Sequence, residues 1–279
     1  MGGRWHTTAD ARAFLDAAGG FLRSRPASHS PLLTVADRLA RGGVAAAVAE
    51  SALLGWWTGA DGVAGGAFVH TPPRQLLLAA APTAAAALGA ELAAAGRRVE
   101  GVNAEERAAR AFADAFGASA TLHQRHRMHR LETLLMPEPP PPGRARTATP
   151  GDRALLRAWM RAFGLEAEGR SDDVTVFVDD RLAHRGWALW ETADGIAVSV
   201  AGASRAIGGA VRIGPVYTPP EHRRRGYGAA VTAALAAAAL EAGAREVLLY
   251  TDLANPASNA LYHRLGFRPL EDRVLLAFE

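Results

Sequence analysis

Two residue types are missing from this chain of 279 residues: cysteine and lysine. Without cysteine there is no disulfide, no thiolate metal site and no cysteine nucleophile. Without lysine, all 31 fixed cations are arginine, which keeps its charge at high pH. That explains a sequence pI near 9.9 beside a formal net charge of only +3. Arginine nearly balanced by carboxylates speaks against a nucleic-acid partner, despite the high pI. Long apolar runs are also missing. The alanine-rich stretches are too short or too interrupted to span a bilayer, and Met1–His6 has no signal-peptide core. We expect a cytoplasmic protein with no membrane partner. No Gly-x-Ser-x-Gly elbow, no His-Glu-x-x-His and no Cys/His cluster occurs, so we expect no serine nucleophile and no metal. His123, His126 and His129 are spaced by three on a strand, which sets neighbours on opposite faces and argues against one shared site. What is abundant is apolar: 49% of residues are hydrophobic, enough for real cores in one large domain or two smaller ones.

Periodicity predicts helices over 7–23 and 32–40, strands over 52–58, 63–69 and 75–80, and a helix over 84–95. A short strand over 99–102, a helix over 104–116 capped by Asn103, and a long strand over 121–136 complete the first half. Pro139–Pro142 favour extended polyproline geometry and cannot enter a sheet interior, so 138–143 reads as a linker between domains. The second half predicts a strand over 144–149 and a helix from Asp152 to Phe163. A second helix over 172–184 and strands over 187–191, 197–203 and 210–217 follow. The remainder is a helix over 229–241, a strand over 246–251, a helix over 258–265 and final strands in the tail. Both halves share one order of elements, and Thr-Pro-Pro recurs at 71–73 and 218–220.

The densest chemistry lies between Val216 and Ala229, where a strand leads through three arginines into Gly226-Tyr227-Gly228 and a helix. Free amides at a helix start, the positive end of its dipole, and glycines that admit a ligand to the backbone suit a diphosphate. A tight turn with solvated arginines is the plainer alternative, above all for the side chain of Arg224.

The spacing Arg223-x-x-Gly226-x-Gly228 resembles the acyl-CoA pyrophosphate loop of the GNAT superfamily of N-acetyltransferases. A second segment, Asn255 to Phe267, is similar to the Asn…Tyr…Gly-Phe segment of that family. The resemblance is close over the C-terminal half and holds in outline over the N-terminal half. It implies an α/β (α+β) chain of two GNAT-like domains in tandem, each a mixed, mostly antiparallel twisted sheet flanked by helices. Residues 1–137 would be a degenerate copy and 144–279 the catalytic one.

It further implies acetyl-CoA as cosubstrate. The amides of Arg224, Arg225, Gly226, Tyr227, Gly228 and Ala229, with Arg223, would meet the diphosphate. Val216 and Tyr217 would pair with pantetheine, and Asn255, Ser258 and Asn259 would contact the cofactor. Tyr262 would protonate the departing thiolate, or else pack in the core near Phe267. Strand 210–217 carries no carboxylate, so the general base is open among Glu191, Asp194, Asp252 and His184. In the first half the corresponding place holds Pro82 and Thr83 and no arginine, so weak acyl-CoA binding or none is expected there. The leading expectation is direct acyl transfer to a small amine. A non-catalytic acyl-CoA sensor is the alternative, and a nucleic-acid-modifying factor is the weakest reading.

Overall fold

A computed structural model describes residues 3–169 and 173–279. The chain forms two compact units. Unit 1 comprises residues up to 128 with 251–255 and 270–279, and unit 2 comprises 129–250 with 256–269.

Unit 1 opens on a strand the periodicity missed, β1 (Arg4–Thr8), where a helix was expected to begin at Thr7. Helices α1 (Ala11–Ser24), α2 (Ser30–Ala40) and α3 (Ala46–Ser51) follow. Asp10 caps α1 by accepting from the amides of Arg12 and Ala13. Strands β2 (Leu53–Thr58), β3 (Ala64–His70) and β4 (Leu76–Ala79), helix α4 (Pro82–Ala94), strand β5 (Gly101–Ala104) and helix α5 (Glu106–Phe116) complete the run. Asn103 lies inside β5, and Glu105 is the cap of α5, its carboxylate accepting from the amides of Arg107 and Ala108. A glutamate accepted two orphan amides that we had assigned to Asn103.

The unit 1 sheet runs β1-β2-β3-β4-β5 and is then extended by β12 (Phe267–Phe278), whose residues 274–277 pair antiparallel with β5. Only β4 and β5 are parallel among these pairs, matched at Leu76–Val102 and Leu77–Asn103. Phe68, Leu76, Leu78, Leu88, Phe112, Val274 and Leu276 form its core beneath α4 and α5. The division therefore differs from a boundary at residues 137–144. The last strand of the chain hydrogen-bonds with β5, so residues 270–279 belong with unit 1.

In unit 2 the segment 139–143 is a packed piece rather than a free linker. Pro141 is buried, its ring carbons stand 3.7–3.9 Å from where a Cβ on Gly226 would lie, and the Pro142 carbonyl accepts the indole N–H of Trp190 at 3.0 Å. Proline needs no amide partner, so such a run can lie against a surface without leaving donors buried.

Strands β7 (Arg144–Thr147), β8 (Trp187–Glu191), β9 (Ala197–Ala203), β10 (Ala210–Tyr217) and β11 (Glu246–Asp252) pair in the order β11-β10-β9-β8-β7. All these pairs are antiparallel except β10 with β11. Helices α6 (Arg153–Glu168) and α7 (Thr175–Ala183) precede β8, α8 (Tyr227–Glu241) joins β10 to β11, and α9 (Pro256–Arg264) follows β11. Residue 172, where a helix was expected to start, lies outside the described residues. Strand periodicity sorts the two faces. Ala188, Trp190, Val211, Ile213, Val247 and Leu249 pack under α8, while Trp187, Leu189, Val200 and Tyr217 pack against Leu156 and Met160 of α6 and Val178 of α7. Small residues on α8, among them Ala230, Ala233 and Ala236, lie buried against the sheet.

Candidate active site

The site is built on a divergence of two parallel strands. β10 and β11 pair from Ala210–Glu246 to Ile213–Leu249, and no further. β10 nevertheless continues to Tyr217 and resumes pairing with β9 at Val216–Ala201 and Tyr217–Val200, after an irregularity between Ile213 and Val216. Gly214 and Pro215 fill that irregularity. Proline donates nothing to a ladder, so it breaks the β11-side pairing where it stands. The strand end thus presents backbone with no β11 partner.

Nine residues, Thr218 to Gly226, then lead to α8. Arg224 and Gly226 both take positive φ, 61° and 83°, and turn successive amides toward one side. Gly226 is the helix cap, no side chain caps the helix, and its first turn holds no acidic residue. The orphan amides at that end remain available, and nothing negative opposes an anion there. A Cβ on Gly228 would meet Thr218 Oγ1 at 3.3 Å and Val216 Cγ1 at 4.0 Å, so Val216, Thr218 and Gly228 are close neighbours. The buried Ser199 hydroxyl pins this end, bonding the Tyr217 carbonyl at 3.2 Å and Thr218 Oγ1 at 2.8 Å.

The three arginines are not equivalent. Arg223 donates from Nε to the Thr218 carbonyl at 2.8 Å and from Nη2 to Glu166 at 2.5 Å. Its guanidinium also lies 5.8 Å from the centre of the Tyr217 ring. Its charge is already matched within the protein. Arg224 and Arg225 are exposed, and their side chains bond to no described residue. Glu166 was missed in the sequence because α6 runs to Glu168, past the end expected at Phe163. It also accepts the Tyr217 hydroxyl at 3.1 Å, and burial, then this bond, raises the Tyr217 pKa.

On α9, Ser258 and Tyr262 stand four residues apart and share a face, with Asn259 one turn before Tyr262. Asn255 directly precedes α9 in the chain and donates its amide to the Asp252 carbonyl at 3.0 Å. Tyr262 packs edge-on against Phe267, ring centres 6.1 Å apart, and borders the same core as Val216 and Ala229. Its hydroxyl hydrogen-bonds no described residue. Burial pushes its pKa up to about 12, so the phenol stays protonated at neutral pH.

The four candidate bases fare differently. Glu191 is held by Arg146, which also grips Asp152 at 2.7 Å. The two ring nitrogens of His184 each face a carbonyl, of Asp180 at 2.8 Å and of Ala203 at 3.2 Å, and burial lowers its pKa. Asp252 accepts the amide of Ala254 at 2.8 Å. Asp194 is exposed in the turn between β8 and β9. Among the described residues no three His, Cys, Asp or Glu side chains gather as a metal site, and no helix is long and apolar enough to cross a membrane.

The family model for FR47-like protein matches residues 200–276, from β9 through nearly all of β12. Three solved structures are similar over nearly the whole chain. A GCN5-related N-acetyltransferase from Sphaerobacter thermophilus is 18% identical with a TM-score of 0.64, covering 98% of this chain and 94% of that one. A GNAT-family acetyltransferase from Colwellia psychrerythraea is 12% identical with a TM-score of 0.63, covering 99% and 100%. A tandem GNAT protein from the clavulanic acid biosynthesis pathway is 16% identical with a TM-score of 0.58, covering 98% and 97%. No curated protein matches the chain. The fold is that of the GNAT N-acetyltransferases, and the resemblance read from the two sequence segments is borne out.

Proposed function

We propose that the protein is an acyl-CoA-dependent N-acyltransferase, using acetyl-CoA and acting on a small amine by direct transfer in unit 2. The observation that carries this reading is the divergence of β10 and β11 directly before an uncapped, glycine-opened helix start. A diphosphate there would accept from the amides of residues 224–229, with Arg224 and Arg225 as free countercharges. Arg223 contributes by fixing the loop to Glu166, not by meeting the ligand. The residues present fit the group: only ring carbons of Pro141 lie near a Cβ position on Gly226, and those at 3.7–3.9 Å.

In the transfer step the acceptor nitrogen bonds to the thioester carbon and the carbon–sulfur bond breaks. An amide of Val216 or Tyr217 stabilises the carbonyl oxygen as charge develops. Tyr262 gives its proton to the departing sulfur. The proton lost by the nitrogen leaves through water, since Glu191, His184 and Asp252 are engaged elsewhere. Most of the rate would come from positioning.

The test is thiol release from acetyl-CoA over a panel of small primary amines. Amine-dependent release with an N-acetylated product is expected. Tight acetyl-CoA binding without turnover of any amine would replace catalysis with a sensing role.

A further inference from the structure

Arg212 stands on β10 one residue before the last pair with β11. Val211 and Ile213 lie under α8, so Arg212 faces the other way, toward the side that carries Tyr217 and packs on α6 and α7. Its backbone is fully used: the amide donates to Ser204 Oγ at 3.0 Å and the carbonyl accepts from the Ser204 amide at 2.9 Å. Its guanidinium makes no hydrogen bond or ion pair with any described residue. Yet the residue is only partly exposed, burial lowers its pKa, and the nearby phenol of Tyr250 supplies the opposing influence.

Other sequestered arginines of this chain are bonded. Arg273 donates to Asn103 Oδ1, the Asn103 carbonyl and the Leu78 carbonyl at 2.8–3.0 Å. Arg181 donates to the Gly214 carbonyl at 3.2 Å and lies 4.0 Å from the centre of the Phe177 ring. Arg146 holds two carboxylates. A guanidinium withdrawn from water without a counter-ion costs stability and is retained where a ligand supplies the anion. Four residues of strand, at most roughly 13 Å, separate it from Val216, a span that a side chain and a short acceptor can share.

We propose that Arg212 binds a carboxylate of the acceptor, so that the acceptor is an amine that also carries a carboxylate. The inference rests on the acyl-transfer reading above. A planar fork of donors pairs with a carboxylate through two parallel bonds. It would fix the acceptor with its amine directed along β10 toward the divergence.

The test uses the full chain and needs no turnover. Glycine, β-alanine and leucine are each compared with their carboxamides, and 2-aminoethyl phosphate with ethanolamine, by calorimetry and by melting shift. The carboxylates should bind at least roughly thirtyfold tighter than the carboxamides, as expected for loss of one partner of a sequestered charge pair. Arg212→Gln should abolish that preference, Arg212→Lys should restore part of it, and Arg212→Met should melt no lower than the native chain. Equal affinity for acid and amide, preference for the phosphate alone, or a preference that survives Arg212→Gln overturns the proposal. So does an Arg212→Met chain that melts several degrees lower, which would mark a structural role. Acetyl-CoA affinity is measured in parallel: its absence defeats the acyl-transfer reading, whereas its presence without carboxylate preference defeats only the role of Arg212.

Discussion

At the scale of single residues, Tyr262 and Arg223 divide the work differently than their spacing suggests. The ring of Tyr262 packs on Phe267, so a core role is real, while its hydroxyl is unspent. Both roles fit one side chain, because the ring and the hydroxyl are separate groups. Tyr262→Phe should therefore keep the fold and acetyl-CoA affinity while turnover falls by roughly 10²–10⁴-fold. With the phenol pushed up to about 12, the native rate should show no alkaline fall from this group below about pH 10. Unchanged turnover in a folded Phe variant would remove Tyr262 from the mechanism. Arg223 shows the opposite case. It lies in the recognisable motif, but Glu166 and the Thr218 carbonyl occupy its donors. Half-exposed as the pair is, it stabilises the fold little and serves to set the loop.

At the scale of elements, the loop from Thr218 to Gly226 and the start of α8 form the ligand cradle. Gly228→Val is the cleaner probe, because Gly228 takes no positive φ while Gly226 does. A valine there would crowd Thr218 and Val216 and cover the first-turn amides. Acetyl-CoA should bind at least about tenfold more weakly, with melting little changed. Normal acetyl-CoA affinity in the folded variant would contradict the cradle. This loop was legible in advance, since glycine and arginine spacing reports backbone demands directly. So were strands β8, β9 and β10, whose apolar residues alternate between two cores. Other features were not. Glu166 comes near Arg223 through the length of α6, which local periodicity did not bound. Pro139–Pro142 read as a linker, since composition alone does not reveal what surface a proline run lies against. The pairing of 274–277 with β5 is a long-range choice that no local pattern carries.

At the scale of the molecule, each unit has one parallel strand pair, and only one of them opens onto a loop. In unit 1 just Ala80 and Ala81 separate β4 from α4, against nine residues between β10 and α8. Beyond the last β4–β5 match at Leu77–Asn103, Arg273 fills the gap, its guanidinium bonded to the Leu78 carbonyl and to Asn103. The missing loop was visible in the sequence as Pro82-Thr83. The arginine plug was not, because it comes from 170 residues further along the chain. A site already satisfied by the protein's own donors has nothing left for pantetheine or diphosphate. The account's central claim is thus a single acyl-CoA site, in unit 2. Calorimetric titration of acetyl-CoA into the full chain tests it most directly. One site per chain is predicted, lost or strongly weakened in Gly228→Val and untouched by Arg273→Met in whatever fraction of that variant folds. Two equivalent sites, or one site indifferent to Gly228→Val, would contradict it.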